Sequence, residues 1–307
     1  MADPAVSARK LTKRFGDFTA VDAIDLSIRS GECFGFLGPN GAGKTSTMRM
    51  IYGFSPITAG ELQVLGHDVR REIRSVKARL GVIPQEDNLD PDLKVLQNLI
   101  VYARYFDIRK KAALERAREV LEFVQLWERR DDHIRFLSGG MKRRLTIARA
   151  LINDPRILIA DEPTTGLDPQ ARHLVWQKLR RLQSDGMTLV LTTHNMDEAA
   201  HLCDRVAIMD RGRILDVDTP PVLISRYVLP EVFEVRVTPE RTEELVEKLH
   251  GLSLKFEIVG DIVYIYARAG AHWDRTLGGQ PGVDRVVHRN ASLEDVFLKL
   301  TGRVLRE

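Results

Sequence analysis

The segment GPNGAGKT, Gly38 to Thr45, combines glycines with a lysine and a threonine at a spacing that suits the binding of phosphate groups. It follows an apolar run and precedes a helical pattern, so successive backbone N–H groups and the positive end of a helix dipole would face one anion. The Lys44 ammonium would reach the β and γ phosphates, and the Thr45 hydroxyl would reach a bound Mg²⁺. The residues predicted to bind the nucleotide in this loop are Gly38, Pro39, Asn40, Gly41, Ala42, Gly43, Lys44, Thr45 and Ser46.

Two consecutive carboxylates, Asp161 and Glu162, end the apolar run RILIADEP. The carboxyl ends of parallel strands form the ligand-binding edge of a sheet, so both acids would lie near the phosphate loop. Asp161 is predicted to hold Mg²⁺, directly or through water, and Glu162 to polarise the water that attacks the γ phosphate. Exposed acids at a strand end also occur in ordinary loops, but the phosphate loop in the same chain favours the catalytic interpretation.

A second predicted anion site lies in FLSGGMKRRL, where two glycines begin a helix. Ser138, Gly139 and Gly140 would expose backbone N–H donors and let a phosphate approach the backbone closely. Lys142 and Arg143, which follow, are expected on a solvated basic face of a serine-capped helix. Two anion sites in one chain predict a composite pocket.

The elements that must position these residues follow from hydrophobic periodicity. Short apolar runs alternate with helical patterns over residues 1 to 228, which predicts an α/β domain with a largely parallel sheet. Residues 93 to 150 carry apolar residues at helical spacing without a convincing strand, and are predicted to form a helical insertion. The predicted strands are CFGFLG at 33 to 38, RLGVIPQ at 79 to 85, RILIADEP at 156 to 163 and TLVLTTH at 188 to 194.

A second domain is predicted from residue 229 to residue 307. Its pattern is strand, helix, a hairpin that turns at Gly260 and Asp261, helix, strand and a final helix capped by Ser292 with Asp295. This order indicates a small α+β domain of ferredoxin-like order. Tyr264 and Tyr266 alternate along one strand and are expected in a core or an interface rather than at a ligand site. Because the segment contains no catalytic cluster, we expect a regulatory or dimer-supporting role.

The composition fits a globular protein that stays in the cytoplasm. The chain has 307 residues, of which 44% are hydrophobic, and a formal net charge of +3 without a long basic block, so a nucleic-acid partner is not expected. The N-terminus lacks the apolar core of a signal peptide, and no run approaches the ~18 apolar residues of a membrane span. Cys33 and Cys203 lie in apolar stretches without a paired motif and are expected to be buried rather than to bind a metal.

The motifs together resemble those of the ATP-binding cassette ATPases. GPNGAGKT, Gln85 in GVIPQ, LSGGM, ILIADEP, GLDP at 166 to 169 and His194 in TTH occur in the order found in that family, over roughly residues 7 to 228. The resemblance implies ATP hydrolysis, with LSGG bound to ATP on the phosphate loop of a second, head-to-tail cassette. Asp168 lies where the family's dimer contact links the two sites. Since one complete set of motifs is present, the chain should form a homodimer or pair with a related ATPase subunit.

The same resemblance assigns roles to further residues. Phe15 in KRFG matches the aromatic residue that stacks on adenine, although tyrosine is more usual there. Gln85 matches the glutamine that contacts Mg²⁺ and the attacking water, and His194 matches the histidine that contacts the γ phosphate. Asn195 and Glu198, behind this histidine, are expected to form a helix-capping pair. The implied catalytic residues are Glu162, His194 and Gln85, and the implied Mg²⁺ ligands are Thr45, Gln85 and Asp161.

A closer resemblance is to the exporter ATPases that serve nodulation-factor and daunorubicin-type drug efflux. LSGGMKRRL, DNLDPD, DEPTTGLDPQARH and the tail SLEDVFLKLTGR are similar to theirs. In these systems a separate multi-span permease carries the solute, which implies an exporter subunit at the cytoplasmic face of the membrane. The segment after Gln85, where the family's ATPase receives a helix from its permease, contains Glu86, Asp87, Asp90 and Asp92. A basic helix would suit these acids, and a solvated polar loop is equally compatible with them.

The alternative is a soluble cassette ATPase that acts on ribosomes or nucleic acid. Ribosome-associated relatives usually carry two cassettes in one chain, and DNA-repair relatives insert a long coiled coil; this sequence has neither. A small-molecule kinase would use the phosphate loop but would not account for LSGG or His194. Export is therefore the expected function, and the identity of the solute is not specified by these motifs, because its contacts should lie in the permease.

Overall fold

The computed structural model describes residues 3–252, 254–280 and 282–302. The chain divides into two compact units, one that ends at Ile214 and one that begins at Leu215. The domain boundary expected at residues 228 and 229 lies further along the chain and stays a prediction.

The first ten strands of the chain are β1 Val6–Phe15, β2 Phe18–Ile28, β3 Cys33–Leu37, β4 Ala59–Val64, β5 His67–Asp68, β6 Leu80–Ile83, β7 Ile157–Asp161, β8 Thr188–Thr193, β9 Arg205–Asp210 and β10 Arg213–Asp218. Six of them form a sheet whose strands lie in the first unit, except that the edge strand β10 begins there and continues past Ile214. The sheet order is β10-β9-β3-β8-β7-β6. β3 pairs in parallel with β8 and β9, and β7 pairs in parallel with β6 and β8. Every residue of β3, β7 and β8 is buried, which confirms the predicted parallel sheet with both faces covered.

The register of this sheet brings the predicted motifs to one edge. Leu37, the last residue of β3, lies beside Thr193 of β8, and Asp161 of β7 lies beside Thr192. The phosphate loop, the acidic pair and the strand-end histidine therefore leave neighbouring strands at the same edge.

Helices cover the sheet and form the predicted insertion. The helices of the first unit are α1 Lys44–Ile51, α2 Ile73–Lys77, α3 Val95–Arg104, α4 Lys110–Phe123, α5 Gly139–Ala150, α6 Pro169–Ser184 and α7 Met196–Leu202. The first helix of the second unit is α8 Pro220–Tyr227. Residues 93 to 150 contain α3, α4 and α5, and Leu99, Ala117 and Leu121 are buried as the helical spacing predicts. Within the described ranges, no helix is long and apolar enough to cross a bilayer.

An antiparallel sheet of order β2-β1-β4-β5 was not predicted from the sequence. The pairing of β1 with β2 is irregular between Ala8 and Leu11 and again near Lys13. Lys10 and Ala23 adopt positive φ angles of 46° and 48°. Such bulges shift the side chains out of a two-residue alternation, which removes the pattern that identifies a strand in a sequence.

The second unit contains the predicted α+β domain. Its further elements are β11 Glu231–Val237, α9 Thr242–Gly251, β12 Lys255–Val259, β13 Ile262–Ala267, α10 Asp274–Gly278, β14 Val283–Asn290 and α11 Leu293–Thr301. The sheet order is β12-β13-β11-β14, which is the ferredoxin-like order. Ser292 and Asp295 form the predicted capping box of α11. Tyr264 and Tyr266 are buried, as expected.

Both cysteines are buried free thiols, as the sequence predicts. Cys33 begins β3, and Cys203 follows α7. A hydrogen bond with Cys33 and burial both raise the pKa of the Cys203 thiol well above its ordinary value. This thiol is therefore protonated and unreactive at neutral pH.

Candidate functional site

The phosphate loop runs from the end of β3 into α1, as predicted. A cavity of about 180 Å³ lies on the loop. Its lining consists of Phe18, Ala20, Asn40, Gly41, Ala42, Gly43, Lys44, Thr45, Ser46, Gln85 and Glu162. Residues from the loop, from the segment after β6 and from the end of β7 thus share one cavity.

Glycine is required in this loop for two separate reasons. Gly41 and Gly43 adopt φ angles of +81° and +102°, which side chains rarely allow. A Cβ on Gly38 would lie 2.2 Å from the carbonyl oxygen of Met209, and a Cβ on Gly43 would lie 2.5 Å from that of Ala20. No atom of the described residues lies within 4 Å of the position that a Cβ on Gly41 would take, so the space on that side is open to a ligand.

Lys44 is buried inside the phosphate loop, where its ammonium is hydrogen-bonded to the loop backbone. Its Nζ donates to the carbonyl oxygens of Gly38 and Pro39 at 2.6 and 3.0 Å, and the residue is 4% exposed. Burial lowers the pKa of the ammonium, and the carboxylates of Glu162 and Asp161 act against that shift. Among the described residues, the hydrogen-bond acceptors of this ammonium are two neutral carbonyl oxygens, so a phosphate that accepted from it would improve its environment.

Thr45 and Asp161 bring hard oxygen ligands together. Thr45 Oγ1 lies 3.2 Å from Asp161 Oδ1, and Thr192 Oγ1 donates to the same carboxylate oxygen. A hydroxyl and a carboxylate beside a phosphate loop match the ligand preference of Mg²⁺, which is bound by a few protein oxygens together with phosphates. The donor set therefore fits the predicted metal.

The predicted catalytic residues converge on one carboxylate. Gln85 Nε2 donates to Glu162 Oε2 at 3.2 Å, and Thr165 Oγ1 donates to the same oxygen at 3.1 Å. His194 Nδ1 lies 3.1 Å from the other oxygen, Oε1. A proton on Nδ1 would be donated to Glu162, which leaves Nε2 of His194 free to face a ligand.

The backbone at Glu162 departs from ordinary strand geometry. Its φ is +48°, in the left-handed region that costs a non-glycine residue about 1–3 kcal/mol. The Glu162 N–H donates to the carbonyl oxygen and to the hydroxyl of Thr192, each at 3.1 Å. These bonds hold the residue in a conformation that turns its side chain away from the strand and towards Gln85.

Arg143 corrects a prediction made from the sequence. The residue is 5% exposed, so it is not on a solvated face. Its Nε donates to the carbonyl oxygen of Pro163 at 2.6 Å, Nη2 donates to that of Glu162 at 2.9 Å, and Nη1 donates to that of Pro84 at 2.5 Å. Burial lowers the pKa of the Arg143 guanidinium, and nearby carboxylates act against this shift. One buried side chain thus joins the segments that carry Gln85 and Glu162.

Glu198 also differs from its predicted role. Asn195 caps α7 by accepting from the Glu198 N–H at 3.0 Å, as expected. The Glu198 carboxylate does not complete the pair; it is 1% exposed and accepts from Thr164 Oγ1 at 2.6 Å and from Trp176 Nε1 at 3.0 Å. It therefore ties the chain after Glu162 to α6 and α7, a link that residue spacing alone does not reveal.

The predicted signature segment begins α5 as expected. Ser138 caps the helix, with its Oγ accepting from the Met141 N–H at 3.3 Å. A Cβ on Gly140 would lie 2.9 Å from Cβ of Ala171, which explains this glycine by packing. Gly139 has no such explanation, since nothing described lies within 4 Å of the position of its Cβ. Its bare backbone faces open space.

Two further predicted residues lie outside the phosphate-loop cavity. Asp168 caps α6 by accepting from the Ala171 N–H at 2.9 Å, which leaves its predicted dimer contact open. Phe15 is 54% exposed and carries the Lys13 ammonium over its ring at 4.6 Å. It pairs across the hairpin with Phe18, which lines the cavity and was not predicted.

A second cavity of the first unit, of about 520 Å³, lies beside the segment that follows Gln85. Its aromatic wall comprises Tyr52, Phe54, Tyr102 and Tyr105, and Arg49 and Arg149 contribute charge. Of the four predicted acids, Asp90 lines the cavity, and its Oδ1 accepts from the Asp92 N–H at 3.0 Å. The Asp90 carboxylate and the Asp92 backbone N–H thus close a turn through this hydrogen bond, and both residues also carry a negative charge.

Comparisons with known families cover both units. The family described as "ABC transporter" matches residues 21–165, which contain the phosphate loop, Gln85, the signature segment and the acidic pair. The family described as "Nodulation factor export protein NodI, C-terminal domain" matches residues 242–302.

Relatives match along nearly the whole chain. The Nod factor export ATP-binding protein I of Cupriavidus metallidurans is 47% identical over 299 residues, 97% of this chain and 98% of the relative. The protein of the same name from Ralstonia nicotianae is 46% identical over 310 residues, 99% of this chain and 96% of the relative. The one from Burkholderia orbicola is 44% identical, with both chains covered in full.

Solved structures show the same cassette. A dimeric ATP-binding cassette in a post-hydrolysis state, bound to ADP and Pi, is 28% identical with a TM-score of 0.64, over 70% of this chain and 98% of that one. A Clostridium perfringens structure that is part of an ABC transporter complex has a TM-score of 0.68 and 24% identity, over 81% of this chain and 95% of that one, and shows the fold.

Proposed function

Because the chain belongs to the ATP-binding cassette transporter ATPases, in the group of the Nod factor export ATP-binding proteins, we propose that it binds Mg²⁺-ATP between two head-to-tail cassettes and drives export through a separate permease. The observation that carries this proposal is the convergence of Gln85, Thr165 and His194 on the Glu162 carboxylate beside the phosphate loop. A phosphate loop that only bound nucleotide would not need an oriented carboxylate.

Each residue of the site has a task in hydrolysis. Lys44 and the loop N–H groups bind the phosphates, while Thr45 and Asp161 hold Mg²⁺, which when bound neutralises charge on the β and γ oxygens. Glu162 orients the attacking water and accepts its proton. His194 holds the carboxylate of Glu162 through Nδ1 and presents Nε2 to the γ phosphate.

The signature segment acts on the nucleotide of a second copy or of a related subunit. Ser138, Gly139 and Gly140 offer N–H groups at the start of α5, and the open space at Gly139 supports the close approach of a phosphate. Asp168, exposed at the start of α6, is assigned in this proposal to the contact between the two sites. ATP would thus be enclosed by residues of both cassettes.

The aromatic cavity beside the Gln85 segment is the proposed contact with the permease. Tyr105 is 78% exposed there, and Arg149 lies 5.1 Å from the ring centre of Tyr102. Exposed aromatic residues next to charged groups are typical of protein interfaces. The segment also carries Gln85, which donates to the Glu162 carboxylate. A permease helix bound in this cavity would therefore change the position of Gln85 and, through it, that of the proposed catalytic carboxylate. This contact would hold the chain at the cytoplasmic face of the membrane.

The exported solute is proposed to be a Nod factor, as in the names of the relatives. In liposomes that contain the chain and its permease, Nod factor should accumulate only with ATP and Mg²⁺. Accumulation without ATP, or of unrelated solutes at the same rate, would contradict this assignment of the solute.

The hydrolytic role is tested with Glu162→Gln, which keeps the hydrogen-bonding reach but removes the proton acceptor. Phosphate release should fall at least about 100-fold, while ATP affinity is retained. Size-exclusion elution with Mg²⁺-ATP should show a stable dimer for this variant. Glu115→Gln, on the exposed surface of α4, is the matched control and should hydrolyse ATP like the parent.

Two results would contradict the proposal. Phosphate release at the parent rate by Glu162→Gln would show that Glu162 is not the catalytic carboxylate. A variant that binds ATP but remains monomeric would exclude an ATP-enclosed homodimer and would point to a related subunit as the second cassette.

The permease contact is tested separately with Tyr105→Glu. The chain should be recovered with a multi-span protein from detergent-solubilised membranes of the organism that encodes it, and Tyr105→Glu should lose that protein. Leu114→Glu changes another exposed apolar side chain, on the neighbouring helix α4, and should keep it. Equal recovery with both variants would place the contact elsewhere.

A further inference from the structure

A cavity of about 780 Å³ lies within the second unit, and none of the residues that line it is assigned to ATP. It is formed by the end of α8, the helix α9, the edge strand β12, and single residues of β13 and α11. Its apolar wall consists of Val228, Leu229, Val246, Leu254, Phe256 and Ile258. The volume is in the range that holds small molecules, and the mainly aliphatic wall suits a saturated chain.

One polar group in this wall, the Tyr266 hydroxyl, has no hydrogen-bond partner among the described residues. Tyr266 is 3% exposed, and its hydroxyl makes no hydrogen bond with any group in the described part of the chain. Burial raises the pKa of this hydroxyl, and the carboxylates of Asp295 and Glu257 act in the same direction, so it keeps its proton. Since buried hydroxyls are nearly always paired, Tyr266 has a donor available for a ligand.

The charge available to a ligand at the cavity is positive. Lys255 lies directly opposite Tyr266 in the pairing of β12 with β13, which places both side chains on the same face of the sheet. Neither Lys255 nor His250 forms a side-chain hydrogen bond or an ion pair within the described ranges, whereas Lys299 is paired with Glu257. No aspartate or glutamate of the described residues lines the cavity.

We propose that this cavity binds an amphipathic anion, a carboxylate with an acyl chain of medium length. The acyl chain would pass around the edge strand β12 to reach the aliphatic wall, because Phe256 and Ile258 lie on the opposite face of that strand from Lys255. The carboxylate would accept hydrogen bonds from Tyr266 and Lys255. The accessory domain would thereby be a ligand-binding domain, a role independent of the nucleotide site and of the permease contact.

Calorimetric titration of the full-length chain with sodium decanoate, without nucleotide, tests the proposal. The parent should bind, and the affinity should fall about tenfold or more in Tyr266→Phe and in Lys255→Glu, because each change removes a hydrogen bond to a charged group. Tyr264→Phe is the matched control: the residue is also buried, lies two positions earlier on the same face of β13, and is not part of the cavity wall. It should bind decanoate like the parent.

Thermal unfolding separates a loss of the site from a loss of the fold. Tyr266→Phe removes an unpaired buried hydroxyl, so without decanoate its Tm should equal or exceed that of the parent. Decanoate should raise the Tm of the parent and of Tyr264→Phe but not that of Tyr266→Phe.

Several results would overturn the proposal. These are a parent chain that does not bind decanoate, or equal affinities for the parent, Tyr266→Phe and Lys255→Glu. Equal affinity for butyrate and decanoate would exclude a site for the acyl chain. Binding to phosphatidylglycerol vesicles without binding to free decanoate would make this face a membrane contact and not a small-ligand site.

Discussion

Nη2 of Arg143 lies 2.9 Å from the carbonyl oxygen of Glu162, and Nη1 of the same side chain lies 2.5 Å from that of Pro84. Arg143 belongs to the first turns of α5, the helix that begins at Gly139. A single guanidinium therefore fixes the start of α5 relative to Glu162, the proposed catalytic carboxylate, and to the segment of Gln85. A displacement of α5 by a second cassette would act on these two segments through Arg143.

We expect Arg143→Lys to lower turnover more than it lowers ATP affinity. A lysine cannot reproduce the planar set of donors, so several buried carbonyl groups would lose their partners. The free energy of unfolding should fall by at least about 2 kcal/mol, as measured in urea, and phosphate release should fall even under conditions where the variant is folded. Lys142→Ala, which removes the neighbouring cation, is the control. Parent-like turnover in Arg143→Lys would show that the carbonyl contacts do not position Glu162.

Gly139→Ala should separate the stability of α5 from its function. Among the described residues nothing obstructs the added methyl group, and alanine favours a helix over glycine, so the free energy of unfolding should rise by a few tenths to about 1 kcal/mol. ATP-dependent dimerisation and hydrolysis should nevertheless fall, because the methyl group would occupy the space of a phosphate bound by the second cassette. Analytical ultracentrifugation with Mg²⁺-ATP and Glu162→Gln as background gives the dimer constant. Unchanged dimerisation would remove Gly139 from the proposed interface.

His194→Ala should lower phosphate release at least about 100-fold while ATP still binds, because Glu162 would lose the partner of its Oε1. Single-turnover measurements separate this effect from product release. His272→Ala, at an exposed position of the second unit, is the control for removal of a histidine. An equal loss in both variants would contradict the assignment.

Lys44→Ala should weaken ATP binding by about 10- to 150-fold, which corresponds to the loss of about 1.5–3 kcal/mol of charge-assisted contact. Calorimetric titration measures this loss, and Lys111→Ala, an exposed lysine of α4, should leave the affinity unchanged. Without nucleotide, Lys44→Ala should remain folded, since the parent ammonium is buried against neutral carbonyls. Unaltered affinity would exclude Lys44 as a phosphate ligand.

The same residue predicts a pH dependence. Burial lowers the pKa of Lys44 in the folded chain from its ordinary value of 10.5. Between the lowered pKa and 10.5, the unfolded chain binds more protons at this position than the folded chain, so the contribution of Lys44 to the free energy of unfolding should rise with pH. The difference in that free energy between parent and Lys44→Ala should follow the same rise. A difference that is constant with pH, or that falls, would contradict the buried position of the ammonium.

Phe15→Ala should weaken ATP binding and leave the binding of inorganic triphosphate unchanged. One face of the Phe15 ring is covered by Lys13, and the remaining face can stack on a base, which is worth about 1–3 kcal/mol. Phe18→Ala is the comparison, because Phe18 pairs with Phe15 across the hairpin and lines the phosphate-loop cavity. A larger loss for Phe18→Ala would transfer the stacking role to that ring.

The sequence by itself determined the features that depend on residues close together in the chain. The glycines of the phosphate loop, the buried strand that ends in Asp161 and Glu162, and the Ser292 cap are each set by backbone geometry or burial within a few residues. The strand and helix order of the second unit follows from periodicity in the same way. The strands of the N-terminal sheet were not predicted from periodicity, because bulges near Lys10 interrupt the alternation of buried and exposed side chains.

Only the tertiary structure decided which polar groups meet. The carbonyl partners of Arg143 are 18 to 59 residues away in the chain, and Glu198 accepts from Thr164 over 34 residues. A charged residue in a helix is predicted from the sequence to be exposed. The neighbouring residues carry no information on distant carbonyl groups that could accept its hydrogen bonds. The same is true of Tyr266. The alternation of its strand predicts that the side chain is buried, but whether its hydroxyl finds a partner depends on which helices and strands pack around it. Hydrogen-bond satisfaction is a property of the assembled core, and it therefore becomes visible only when the elements are packed.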